Sequence, residues 1–226
     1  MVERDRVEDP ALAACLDKLA AGLLPLRECA RALGLDGLAL LLAYDAGTPE
    51  PVRTHGPLTV PLEDLQLVYG QGPSVDAAQH GITVLVPDLA AASSLWTGLT
   101  PPLQSLGVEA LFAFPINIGN TRLGAFSGHR RAPGGMTSQQ LNGARLLADA
   151  AAHTVLRLTA WLTAENHLPF VEAHQASGVL ALRHGISLDQ AWLRLRMHAF
   201  RHDRSLLETS RALLHDGFDF DDTPWP

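Results

Sequence analysis

From Glu172 to His215 the chain is punctuated in a way that leaves room for little besides three short helices packed together. Gly185 follows His184, where a helix end takes the left-handed geometry that glycine adopts most easily. Ser187 with Gln190, and Ser205 with Glu208, set a hydroxyl three residues ahead of a longer polar side chain, the spacing at which each caps the other's backbone. Between these signals Leu188, Ala191, Trp192, Leu195 and Ala199 recur at helical spacing and predict one apolar face. Helices this short are marginal alone in water, so the pattern predicts a bundle closed around that face.

This order of residues resembles the ANTAR domain, a small three-helix RNA-binding module of bacterial transcription antiterminators. The resemblance covers the last quarter of the chain. It lies in the combination of Ala176 and Gly178, Gly185, Ala191, the Leu195-Arg196 pair, Ala199, and Arg204 with Leu206. Two positions depart from the family: Ser177 stands where members are often basic, and Ser210 where a small apolar residue is usual. The resemblance implies a protein that binds paired short stem-loops in nascent transcripts and so prevents a terminator hairpin from forming. Unstacked loop bases are what sequence-specific RNA proteins generally read.

Candidate RNA contacts follow from residue chemistry. Arg194 and Arg201 lie seven apart on the middle helix, opposite Leu195 and Ala199. They form either a solvated face or an RNA-contacting stripe, since guanidinium groups pair with phosphate and stack on unpaired bases. Arg183, Arg196, Arg204 and Arg211 are further candidates, with Ala176 and Gly178 beside them. Gly178 costs roughly 1 kcal/mol inside a helix relative to alanine. Close helix packing or close approach of an RNA backbone is the expected offset. Trp192 is read as core rather than as a stacking platform.

A net charge of −7 argues against a protein that coats nucleic acid, but the charge is unevenly spread. Residues 165–215 hold six arginines against five acids, whereas the tail 216–226 holds four aspartates and no base. Six of the ten histidines also fall in 165–215, so that segment gains charge as pH falls toward about 6.5. No apolar run approaches the ~20 residues needed to span a bilayer. The charged start Met1-Val2-Glu3-Arg4-Asp5 lacks the apolar centre of a secretion signal. A bacterial cytoplasmic protein without a membrane partner is expected.

Length and apolar content, 226 residues and 47%, suit two small domains. Residues 10–33 read as helical with a break before Pro25. Leu38 to Tyr44, Val52 to His55 and Ile82 to Val86 read as strands. Ala110 to Ile118 and Arg122 to His129 flank Gly119-Asn120, a hairpin dipeptide. A helix is expected from Pro61, with Glu63 and Asp64 near its positive end. The pattern predicts an α+β domain on an antiparallel sheet flanked by helices. At Gly72-Pro73-Ser74-Val75-Asp76-Ala77, Val84-Leu85-Val86-Pro87-Asp88-Leu89, Phe112-Ala113-Phe114-Pro115 and Leu123-Gly124-Ala125 it resembles the GAF domain over residues 10–160. Gln71 and Ser74 stand where many bacterial members carry Glu and Cys. The resemblance implies a sensor responding to a small molecule or a partner protein, and GAF with ANTAR is a familiar pairing.

A connecting helix spans 137–164, capped by Thr137 with Gln140. Leu141, Ala148, Val155 and Leu162 recur at seven, with Leu158 among the residues between them, forming a coiled-coil seam. The seam packs either on its own sheet or, the sharper reading, against a second subunit in a homodimer. Glu165-Asn166 and Pro169 form a hinge into the ANTAR-like domain at 165–216, followed by an acidic tail at 217–226.

Catalytic constellations are not found. Cys15 and Cys29 precede the first strand and read as small buried apolar residues. His198 and His202 have metal-ligand spacing without an HExxH pattern, so solvated or capping roles are expected. No cofactor, no metal and no enzymatic activity are expected. The competing class is a GAF sensor or protein-interaction module that has lost RNA binding, favoured by the low basic charge.

Overall fold

Alternation along the strands decides the layers. In β5 (Thr121–Arg130), Phe126 joins one core while Ala125, Ser127 and His129 lie on the opposite face. The computed structural model describes residues 9–43, 48–92, 94–158 and 169–216. Its sheet is antiparallel, in the order β2-β1-β5-β4-β3, with β1 (Gly37–Leu42), β2 (Glu50–His55), β3 (Val84–Val86) and β4 (Ala110–Ile118). Leu38, Leu40, Phe112, Phe114 and Phe126 face α1 (Pro10–Ala20), α2 (Leu26–Ala32) and α6 (Ser138–Leu158). On the other face Ala39, Ser127 and Ala113 lie opposite one another across three strands. That row of small side chains lets α3 (Thr59–Tyr69) and α4 (Pro73–His80) approach the sheet, with α5 (Thr100–Ser105) beyond them.

The three C-terminal helices form as their caps dictate: α7 (Val171–His184), α8 (Leu188–Arg201) and α9 (Leu206–His215). Gly185 ends α7 at φ 63, and both reciprocal capping pairs are made. Ala191, Leu195 and Ala199 are fully buried, but Leu188 is exposed at the mouth of α8. Ser177 and Ser210 are tolerated inside because each hydroxyl donates to a carbonyl one turn back, those of His174 and Leu206. The bundle does not stand apart. Its core is continuous with Leu67 and Val68 of α3.

Three expectations are corrected. The seam of α6 faces its own domain: Ala148 and Val155 are buried with Ala144, Leu147 and Ala151 against α1 and the sheet, and Leu141 packs on the same core. Ala148 and Val155 are therefore unavailable to a second subunit. The side chain of Leu158, together with Leu162, the hinge at Glu165-Asn166 and the tail 217–226, lies outside the described residues. Helix α3 begins at Thr59, two residues before Pro61. Strand β3 begins at Val84 rather than Ile82. Helices α4 and α5 carry no clear period of their own, being only 8 and 6 residues long.

Candidate functional site

Helix α3 is covered on both sides, and two consecutive carboxylates mark them. Glu63 turns toward the sheet and is 1% exposed. Its Oε2 accepts from the Ser74 hydroxyl at 2.8 Å and the Gln66 amide at 3.0 Å, while its Oε1 has no partner. Burial pushes Glu63 up to about 7, opposed by the hydroxyls of Ser127 and Ser74. Gln66 also accepts from the backbone N–H of Ser74, pinning the start of α4. Along the same face lies His129, 1% exposed, with Nε2 unpartnered and held neutral by burial, its pKa lowered to about 4. Gly37 makes room for it, since a Cβ there would sit 2.2 Å from the imidazole and 2.4 Å from the Thr59 hydroxyl.

On the other side Asp64 caps the bundle. Its carboxylate oxygens accept from the backbone N–H groups of Leu206 at 2.7 Å and Leu207 at 3.2 Å, at the start of α9. A helix N-terminus favours a carboxylate there. Burial nevertheless pushes Asp64 up to about 6, with the two N–H bonds opposing. Three further contacts tie the bundle down. The Arg196 guanidinium donates to Thr48 at 3.1 Å and would clash with a Cβ on Gly70. His174 meets Glu50 at 2.6 Å and stacks on Trp192. Tyr69 and Phe200 meet edge to face at 5.0 Å.

A protein-family model described as "GAF domain" matches residues 25–155, more than half the chain. The chain belongs to the GAF domain family. Solved structures agree on the fold. The GAF domain of a phosphoenolpyruvate-protein phosphotransferase from Acinetobacter superposes with a TM-score of 0.51 at 8% identity, covering 66% of this chain and 93% of that one. A GAF domain from a phosphoenolpyruvate-protein phosphotransferase of Coxiella burnetii gives 0.51 at 15% identity, covering 68% and 98%. No curated protein matches the sequence.

The GAF match ends before α7, and the arginines assigned to RNA separate into two groups. Arg196 is withdrawn against the GAF domain, where burial lowers its pKa and leaves its Nε unpartnered. Ala176 is buried in the bundle. Both are corrected: the docked bundle gives neither an open face. Arg211 is exposed but paired with Glu172 at 2.7 Å. Arg183, Arg201 and Arg204 are exposed, and Arg194 is half-buried. Gly178 is not a packing glycine, because a Cβ built on it would meet nothing within 4 Å. Trp192 is part-buried on the bundle core.

Cys15 and Cys29 are free, buried and adjacent, and burial pushes both thiols up. The rings of His198 and His202 lie 4.1 Å apart, and burial lowers His198 to about 4, helped by His202, Arg204 and Arg201. Among the described residues no three metal-ligating side chains come together, and no helix is long and apolar enough to cross a membrane. Sequence reasoning treated Glu63 and Asp64 only as acids favoured by a helix dipole. The missed signal lies beside them: Leu62, Leu65, Leu67 and Val68 surround α3 with apolar residues, the mark of a helix buried on all sides.

Proposed function

We propose that this chain is a signal-responsive RNA-binding regulator of transcription antitermination, in which the GAF domain governs whether an ANTAR-like bundle engages paired stem-loops in nascent mRNA. The observation that carries this reading is Gly178. A mid-helix glycine whose Cβ position meets nothing within 4 Å among the described residues keeps open a spot on the bundle that a partner backbone can approach closely. Arg183, Arg201 and Arg204 supply cationic side chains on the exterior, with Arg194 part-buried among them. The signal, a small molecule or a partner protein, acts through the GAF domain, and the mechanism is competition between RNA hairpins rather than catalysis. In the docked arrangement Arg196 faces the GAF domain, so release of the bundle adds a cation to the RNA face.

One observation favours a second reading, a sensor whose bundle contacts protein instead: Arg196, part of the Leu195-Arg196 pair, is engaged inside the molecule. Gel shifts with a two-hairpin RNA, repeated across a salt titration, separate the two. RNA binding predicts affinity that falls steeply with salt, and a shallower slope in Arg201→Ala. No shift at low salt, or a slope unchanged in that variant, refutes the RNA reading and leaves the protein-interaction one.

A further inference from the structure

Between α3, α5 and the corner joining α8 to α9 lies a cleft of about 480 Å³, on the side of α3 away from Glu63. That size falls within the roughly 300–1,000 Å³ of small-molecule sites. Its walls are stiff and apolar. Pro61 comes from α3, and Pro101 and Pro102 from α5, each with a fixed backbone angle. The Tyr69–Phe200 pair contributes an aromatic side, and Phe200 stays 54% exposed at the lip. At the corner stand Asp203 and Arg204, neighbours of opposite charge. Their backbone N–H groups donate to the carbonyls of Phe200 and Ala199, while neither side chain has a hydrogen-bond or ion-pair partner among the described residues. Asp203 is held at φ 50, a conformation non-glycine residues adopt rarely. Asp64 also lines the cleft, but α9 already occupies its oxygens.

We propose that this cleft binds a small aromatic molecule whose head carries both an ammonium and a carboxylate. Its ring lies between the proline walls and the aromatic pair, its ammonium meets Asp203, and its carboxylate meets Arg204. Because the walls come from the GAF domain and the bundle alike, such a molecule binds only the docked arrangement and stabilises it by mass action. The site does not depend on RNA binding, and either reading can fail alone.

Four probes sharing one ring test the head-group chemistry on the full chain by calorimetry: tryptophan, tryptamine, indole-3-propionate and indole. Tryptophan is expected to saturate one site at least tenfold more tightly than the other three, and to raise the melting temperature with concentration. Asp203→Asn and Arg204→Gln, both at exposed positions, are each expected to weaken tryptophan about tenfold while leaving indole unchanged. Absence of saturable tryptophan binding overturns the proposal. So does equal binding of all four probes, or tryptophan affinity indifferent to both substitutions.

Discussion

Replacing Glu63 by glutamine isolates the cost of ionising the GAF interior. Glutamine copies the protonated acid: its carbonyl can keep the bonds from Ser74 and Gln66, and its NH₂ takes the place of the unpartnered Oε1. Glu63 rises from 4.5 to about 7 on folding, so the folded chain holds its proton where the unfolded chain has lost it. The sign follows: this raised pKa opposes stability as pH climbs from 4.5 through 7, and the acid favours folding only when protonated. Between pH 5 and pH 8 the differential cost of ionisation grows by about 2–3 kcal/mol, at about 1.4 kcal/mol per pKa unit. Urea unfolding of wild type and Glu63→Gln at both pH values measures it. The stability gained by the amide is expected to be larger at pH 8 by that amount. His129 and Asp64 titrate in both proteins and cancel in the comparison. A stability difference that stays constant from pH 5 to pH 8 refutes the view that Glu63 is buried close to its ionisation point.

Val155→Glu is expected to abolish the cooperative melt of the domain, because the side chain is 5% exposed and faces α1 and the sheet; a folded chain that only loses a subunit would return α6 to the role of dimer seam. Gly178→Ala is expected to stabilise the chain by up to about 1 kcal/mol in a thermal melt, since the new methyl meets open space. The same change is expected to weaken RNA binding in gel shifts, and normal RNA affinity would remove Gly178 from the RNA face.

What could be read from the sequence was local and periodic. The caps at Ser187, Ser205 and Thr137 fixed helix starts because each is a contact within one turn. Strand positions followed from apolar runs bounded by turns, and the GAF motifs located the core hairpin. Contacts between distant segments were not legible. The heptads of α6 are equally good for a sheet or a second helix, and only α1 and the sheet decide which one covers them. Arg196 and Arg201 are alike in composition, yet one reaches Thr48, a residue 148 positions away, while the other stays in solvent. Consecutive positions on α3 gave no hint that Glu63 and Asp64 face different domains.

That consecutive placement links the two faces of α3 mechanically. A signal that moves Glu63 or Ser74 shifts or turns α3, and Asp64 on its far side must move with it. The clamp it makes on α9 is a helix cap, worth roughly 0.5–2 kcal/mol. A bias of 1–2 kcal/mol changes a two-state population by about 5- to 30-fold, so this cap is strong enough to matter and weak enough to be overridden. Asp64→Ala removes both acceptors from the first turn of α9. Amide hydrogen exchange at Leu206 and Leu207 is expected to quicken by that factor while exchange in β4 and β5 stays put. If the released bundle is the form that meets RNA, affinity for a two-hairpin RNA rises by the same factor. Unchanged exchange at both amides would show that Leu67 and Val68 hold the bundle without the cap. Faster exchange with unchanged RNA affinity would place the RNA face on the side of the bundle that stays open in the docked form, away from Arg196.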